Sequence, residues 1–146
     1  MARTGFSILA ELPRVFADTA YFFELLDATA PNHVRAVEIA AEIDQRRIQV
    51  ATTWEIVLEC ATLLRYRLSF KAAKVFLTDI VPELTLLYPD DEERLAATEE
   101  FLKRGKHRRL SLCDALSLVM VSRRLNWAPC LTFDADFAAM GLTVVR

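Results

Sequence analysis

Short apolar runs alternate with longer amphipathic runs along most of this chain. The short runs are rich in β-branched and aromatic residues, which favours strands, and the longer runs repeat apolar residues every three or four positions, which favours helices. The predicted strands are Arg14–Ala17, Ile48–Ala51, Leu84–Tyr88, Cys130–Thr132 and Leu142–Val145. Strands separated by helices of this length are typical of a parallel sheet with helices on both faces. We therefore predict a three-layer α/β/α fold with a mostly parallel central sheet of about five strands.

The amphipathic runs also predict which helix faces are buried. The predicted helices occupy residues 19–28, 32–46, 53–67, 70–81, 90–103, 111–126 and 134–140. In the 53–67 helix, the apolar residues that recur at helical spacing are Trp54, Val57, Leu58, Ala61 and Leu64, and we predict that they form its buried stripe. Glu59 interrupts an otherwise uncharged run, so we expect its carboxylate to be at least half buried and to need a cation or hydrogen-bond donors.

Length and composition narrow the class of protein. The chain has 146 residues, 53% of them hydrophobic, with three glycines and five prolines, so we expect one domain over 1–146 with 1–13 as an N-terminal extension. No apolar run approaches the length of a membrane span, and the apolar patch at the start is too short for a secretory signal, so we expect no membrane partner and a cytoplasmic location. Cys60, Cys113 and Cys130 are predicted to be buried free thiols, and their spacing makes zinc improbable.

Four carboxylates are placed where an α/β sheet collects its ligands. Asp18 directly follows the first predicted strand and Asp134 follows the fourth after Phe133, so the carboxyl ends of two strands deliver acids to one edge. Each acid has a simpler reading as well: Asp18 and Asp134 suit helix N-caps, and Ser111-x-x-Asp114 resembles a capping box. Together with Glu59, however, such carboxylates repel one another unless a divalent cation lies between them, and Mg²⁺ accepts sites made only of oxygen ligands.

Four stretches of sequence, in this order, carry a resemblance to a known family: VFADT, TTWEIVLECATLL, LSLCDAL and LTFDADF. Over about residues 14–145 the chain resembles the PIN-domain nucleases, most closely the VapC-type toxins of toxin–antitoxin pairs. The resemblance implies that the metal-binding acids are Asp18, Glu59, Asp114 and Asp134. Thr132 and Asp136 fall on accessory positions, and Thr19 with Thr52 or Thr53 on hydroxyl positions. Glu55 is the less favoured alternative to Glu59, because Glu59 precedes the Leu63–Leu64 pair at the family's spacing.

The resemblance also implies an activity. PIN-domain nucleases of this type hydrolyse RNA with Mg²⁺ or Mn²⁺, and the number of ions, one or two, stays open. VapC-type toxins form homodimers and are silenced by a small antitoxin protein in a hydrophobic groove. Tyr21, Phe22 and Phe23 are a candidate for that groove, although core packing is the favoured reading of each. Two alternatives remain: a PIN nuclease of RNA processing that is not a toxin, and a catalytically silent PIN-like binding module.

The net charge of −2 hides an uneven distribution of basic residues. Five basic residues crowd into seven positions just before the Asp114 helix: Lys103, Arg104, Lys106, Arg108 and Arg109. Basic side chains next to an acidic pocket suit a nuclease that holds its metal and the RNA phosphates separately, so this segment is the candidate RNA-binding surface. A set of solvated helix ends is one alternative. If these arginines are structural, a second basic group becomes the candidate RNA surface, made of Arg65, Arg67, Lys71 and Lys74.

Overall fold

Five parallel strands form the centre of the molecule. The computed structural model describes residues 14–146, so the predicted extension over 1–13 lies outside the described residues. The strands are β1 (Arg14–Ala17), β2 (Gln49–Thr53), β3 (Thr85–Leu87), β4 (Cys130–Leu131) and β5 (Val144–Val145). They lie in the order β3-β2-β1-β4-β5, and every neighbouring pair is parallel. The predicted fold class is therefore confirmed.

The sheet is covered by seven α-helices. They are α1 (Thr19–Leu26), α2 (His33–Arg46), α3 (Trp54–Arg67), α4 (Phe70–Val75), α5 (Asp91–Arg104), α6 (Leu112–Arg124) and α7 (Ala135–Ala139). The single helix predicted over 70–81 is wrong in its second half, where a π-helical turn over Phe76–Ile80 leads into a 3₁₀ turn over Val81–Glu83. Pro82 explains this ending, because its ring has no N–H to donate to the preceding helical turn.

Helix α3 buries part of the predicted stripe: Val57 and Leu64 are buried as predicted, and Ala61 is half buried. Its buried residues are Ile56, Val57, Cys60 and Leu64. Trp54 and Leu58, which were predicted to be buried, are 40% and 51% exposed. The series 56–60–64 is an equally regular helical stripe once Cys60 is counted as apolar, and its small side chain suits close packing. Glu59 lies outside this buried stripe and is exposed, so the expectation that it is at least half buried is wrong.

An ion pair between a buried carboxylate and an exposed guanidinium joins α5 to α6. Glu93 is 4% exposed, and Arg124 donates to its two carboxylate oxygens at 2.8 Å and 2.5 Å. Glu93 also completes a capping box with Asp90 at the start of α5. Arg124 is in the last turn of α6, so the pair ties the beginning of one helix to the end of the other.

No helix in the described part of the chain is long and apolar enough to cross a bilayer. Cys60 and Cys130 are buried and free, as predicted, whereas Cys113 is only half buried.

Candidate active site

Asp18 is positioned by the adjacent ends of β1 and β4. Ala17 lies opposite Leu131 in the sheet, and the Asp18 N–H donates to the Leu131 carbonyl at 3.1 Å. The Asp18 side chain caps α1, with the Ala20 N–H 3.5 Å from Oδ2. Both readings of Asp18 therefore hold: it is a helix cap, and it lies at the carboxyl end of the central strand. It is 6% exposed.

Two threonines support this strand end from different sides. The Thr132 hydroxyl donates to Asp18 Oδ2 at 3.0 Å and accepts from the Asp134 N–H at 3.0 Å, so one side chain orients both segments. Thr132 is fully buried. The Thr52 hydroxyl donates to the Ala17 carbonyl at 2.8 Å, which places it beneath the strand end. Thr53 instead caps α3 by accepting from the Ile56 N–H at 3.2 Å.

Asp114 and Asp134 each begin a helix. Asp114 forms a full capping box with Ser111, with N–H to oxygen distances of 3.0 Å and 3.1 Å. Asp134 caps α7 by accepting from the Asp136 N–H at 2.9 Å. Both acids are half buried, so each retains a carboxylate face that solvent or an ion can reach. Asp136 contributes its backbone to this turn.

A cleft of about 370 Å³ gathers the four predicted acids. Its described lining includes Asp18, Glu59, Asp114 and Asp134. Thr19 also lines it, and the buried Thr19 hydroxyl has no hydrogen-bond partner in the described structure. The predicted acids thus line one cleft, together with a hydroxyl that has no described hydrogen-bond partner. Thr52 and Asp136 are not among the described lining residues.

The two glutamates of α3 occupy different surroundings. Glu59 lines the acidic cleft and also a neighbouring apolar pocket of about 430 Å³. Glu55 lines only the apolar pocket, and its Oε2 is buried with no hydrogen-bond partner among the described residues. Glu59 is therefore the glutamate that shares a cleft with the other three acids.

The electrostatics of the cleft are those of crowded like charges. Burial raises the pKa of Asp18 to about 7, with a further contribution from the negative charge of Asp114. Burial also raises the pKa of Asp114, and the charges of Asp134 and Glu59 add to that increase against the lowering effect of the Ser111 hydrogen bonds. No ion pair within residues 14–146 involves any of these four acids.

The donor set fits a hard divalent cation in its chemistry. The four carboxylates offer oxygen ligands only, which Mg²⁺ and Mn²⁺ prefer. Cys113 lies beside Glu59, but burial and that glutamate raise the pKa of its thiol, so it is a poor ligand at neutral pH. In the described residues no three His, Cys, Asp or Glu side chains come together as a ready coordination shell. The acids share the cleft without converging on one point.

The predicted basic segment is not among the described lining residues of the cleft. Lys103 and Arg104 end α5, and the other three residues occupy the turn before Ser111. All are exposed except Arg104, which is half buried and paired with Glu100 at 2.6 Å. The basic residue that lines the cleft is Arg67, at the end of α3. The sequence placed Arg67 only in the second basic group, the alternative RNA surface, and did not assign it to the acidic cleft. The spacing was a usable signal, because Glu59, Leu63 and Arg67 recur at intervals of four and all line the cleft.

The aromatic residues of α1 divide between core and cleft. Tyr21 and Phe22 are 3% and 1% exposed, so core packing describes both. Phe22 contacts Phe76 with ring centroids 5.2 Å apart. Phe23 is half buried and lines the acidic cleft.

Comparison with known proteins identifies related sequences and folds. The sequence profile of the PIN domain family matches residues 15–142. The crystal structure of VapC20 from Mycobacterium tuberculosis, a toxin that cleaves the sarcin–ricin loop, is 26% identical with a TM-score of 0.78 and covers 90% of this chain and 98% of its own. No curated protein matches in sequence.

Two toxin–antitoxin structures share the fold at lower identity. VapBC2 from Rickettsia felis, bound to a fragment of promoter DNA, is 10% identical with a TM-score of 0.64 over 91% of this chain and 97% of that chain. VapBC-5 from Mycobacterium tuberculosis is 18% identical with a TM-score of 0.57 over 92% and 98%.

Proposed function

This chain belongs to the PIN-domain family, and we propose that it is a Mg²⁺- or Mn²⁺-dependent endoribonuclease, the toxin of a type II toxin–antitoxin pair. PIN-domain relatives with the VapC fold are nucleases, and the fold of this chain matches theirs. The observation that carries the proposal is the cleft in which Asp18, Glu59, Asp114 and Asp134 meet without an ion pair to any residue in 14–146.

Each acid has a separate role in the proposal. Asp18, Glu59 and Asp114 hold one or two ions, and Asp134 is a further ligand or orients one. A bound ion would lower the pKa of a water molecule and offset charge on the attacked phosphate. Thr132 fixes the Asp18 carboxylate through its 3.0 Å hydrogen bond, and Ser111 fixes Asp114 in the same way. Such partners orient ligands and raise the precision of a metal site.

The substrate class follows from the family, and one relative sharpens it. VapC20 cleaves the sarcin–ricin loop and is 26% identical to this chain. We therefore propose structured cellular RNA with an exposed loop as substrate and ribosomal RNA as the first candidate. A PIN nuclease of RNA processing would share the cleft, and toxicity on expression separates the two. A silent binding module is disfavoured because all four acids are retained.

The antitoxin would occupy a groove on the other side of α1 from the acidic cleft. A cavity of about 710 Å³ lies between α1, α2 and the segment 79–84, with Tyr21, Phe22 and Leu25 among its apolar lining. Its charged lining residues are Asp44, Asp79, Glu83 and Arg47, so acids outnumber bases there. We propose that an apolar antitoxin segment with basic flanking residues docks there. The aromatic residues that form the core of α1 would also form part of the groove lining.

A homodimer would use the apolar face beside Glu59. Leu112 lines the 430 Å³ pocket and is 50% exposed. Trp54 and Leu58 on α3 and Leu95 on α5 are further exposed apolar side chains of these helices, and we include them in the proposed contact. Exposed apolar patches of this kind mark protein contacts. Light scattering of Leu112→Glu against the parent would test this dimer.

RNA cleavage by the purified protein tests the proposed activity. Ribosomes and total RNA are incubated with the parent, Asp114→Asn and a matched control, Asp91→Asn, whose side chain is 96% exposed on α5. We expect new 5′ ends with the parent and the control in MnCl₂ and none in EDTA. We expect Asp114→Asn to lose more than about 100-fold in rate, because it removes a direct metal ligand rather than a supporting residue. Equal cleavage by all three proteins would contradict the proposal.

A further inference from the structure

Beyond its acids, the cleft contains a group of residues suited to a nucleotide. Phe23 from α1 and Leu63 and Arg67 from α3 line it together with the carboxylates. Glu59 and Arg67 are eight residues apart on one helix, which separates them by about 12 Å along its axis. The lining therefore runs from the acids to a cation with an aromatic and an aliphatic side chain beside it.

Arg67 carries the positive charge of this lining. It is exposed, and no described residue forms an ion pair with it, although it shares a cleft with four acids. Glu24, the remaining acid of the lining, is engaged elsewhere. Its carboxylate accepts from the Asn32 N–H at 2.8 Å and from the Asn32 side chain at 3.3 Å. The guanidinium is thus available to an anion from solution.

We propose that Arg67 binds an RNA phosphate next to the scissile one and that Phe23 stacks on the adjoining base. The inference rests on the proposed nuclease function and names a subsite within it. An arginine suits this position because its planar guanidinium binds phosphate through two parallel hydrogen bonds. Phe23 is half buried, so part of its ring is open to the cleft that it shares with Arg67. Aromatic rings in a basic groove are the usual platform for bases of single-stranded nucleic acid. The subsite selects a nucleotide that is unpaired.

A competing role for Arg67 is that of a permanent counter-charge to the acids. In that role its removal would destabilise the protein and leave RNA affinity unchanged. The geometry favours the substrate role, because a structural counter-charge would be expected to pair with one of the acids, as Arg124 does with Glu93. Arg65 provides a matched control on the same helix. Its guanidinium lies over the Phe70 ring, 5.7 Å from the centroid, and it is not among the described lining residues.

Binding of a fluorescein-labelled 12-nucleotide single-stranded RNA of mixed sequence tests the subsite. Anisotropy is measured from 25 to 200 mM KCl in 5 mM MgCl₂, with Asp18→Asn as the uncleaving reference. We expect Arg67→Ala to raise Kd about tenfold at low salt, since a charged hydrogen bond is lost. The slope of log Kd against log salt should fall by about 0.7. Arg67→Lys should retain that slope with weaker binding, and Arg65→Ala should match the reference.

Phe23→Leu separates stacking from charge. We expect it to raise Kd about fivefold or more at every salt concentration with an unchanged slope, because a base loses its aromatic partner. Thermal denaturation of each variant accompanies the binding data. The subsite is wrong if Arg67→Ala has the same slope of log Kd against log salt as the reference. It is also wrong if Arg67→Ala lowers the melting temperature and leaves Kd unchanged. Either result would stand even if the parent protein cleaves RNA. Absence of cleavage by the parent would instead overturn the proposed function.

Discussion

Asp18 and Glu93 are both almost fully buried, at 6% and 4% exposure, yet the charged side chains next to them have opposite signs. Arg124 donates to both oxygens of Glu93, and this hydrogen-bonded cation lowers the pKa of Glu93 below its usual value. Asp18 faces Asp114 with no described cation paired to it, and burial raises its pKa to about 7. The first acid joins two helices, whereas the second weakens the fold in which it lies.

A cationic partner within the protein distinguishes a structural buried carboxylate from a functional one. A buried charge without a partner costs stability, so it is retained only where something else depends on it. Glu93 is satisfied within the protein. Asp18 and the acids around it accept hydrogen bonds within the protein but have no described cationic partner, and in the proposed function a divalent cation supplies that charge. The crowded acids of the cleft are therefore expected to lower the free energy of unfolding, and the proposed metal binding is the reason that we give for their presence.

The largest effect expected from this comparison is a gain in stability on removing the unpaired charge. The raised pKa of Asp18 means that its protonated form stabilises the fold below about pH 4, and that this contribution is lost as pH rises through about 7. Asp18→Asn does not titrate and still caps α1. We expect it to be more stable than the parent by about 4 kcal/mol at pH 8 without divalent ions, and equal near pH 4. Urea denaturation across this range measures the difference, and a destabilised variant at pH 8 would contradict it.

Removing the partner of the paired carboxylate Glu93 should lower the stability of the protein, in contrast to the gain expected for Asp18→Asn. Arg124→Ala leaves Glu93 buried without its cation, so we expect the melting temperature at pH 7 to fall by about 5 °C or more. The lowered pKa of Glu93 means that the pair stabilises the fold above pH 4.5 and loses this effect as pH falls through the lower folded value. The difference between the proteins should therefore shrink in acid. Arg123→Ala, at the exposed neighbouring position, is the control for loss of charge alone.

A smaller effect distinguishes the two glutamates of α3. Added Mn²⁺ should raise the melting temperature of the parent, because the ion binds the folded state, and saturation at about 100 times Kd adds about 2.7 kcal/mol. Glu59→Gln should reduce that increase, whereas Glu55→Gln, outside the acidic cleft, should leave it nearly intact. The reverse ranking would move the site to Glu55.

The basic segment before α6 should give the smallest change. Arg108 and Arg109 are exposed, so replacing both with alanine should barely alter the melting temperature. If both contact phosphates, the salt dependence of RNA binding should flatten by up to about 0.7 per contact. An unchanged slope would remove this segment from the RNA surface and leave Arg67 as the cation to test.

The sequence predicted the sheet and the acids at its strand ends, but not all of the buried residues of α3. The strand–helix alternation predicted the parallel sheet, and strand ends predicted that Asp18 and Asp134 share an edge, because both follow from local pattern and chain order. The outward rotation of Trp54 and Leu58 did not follow. Two apolar stripes on α3 had similar spacing, and only packing on the sheet chooses between them.

The position of Arg67 shows the same limit at the site. The family resemblance identified acids through their motifs, but Arg67 belongs to no motif and joins the cleft only because α3 runs along it. The contact of Phe76 with Phe22 is likewise a tertiary feature that no local pattern predicts.

Calorimetric titration of MnCl₂ into the metal-free protein at pH 7.5 tests whether the unpaired acids of the cleft bind a divalent cation. We expect saturable binding of one or two ions per chain for the parent and for Asp91→Asn. We expect no saturable binding for the double variant Asp18→Asn, Asp114→Asn, although it remains folded. Equal heats and stoichiometry in the double variant would show that the ion binds elsewhere, and no binding by the parent would contradict the account.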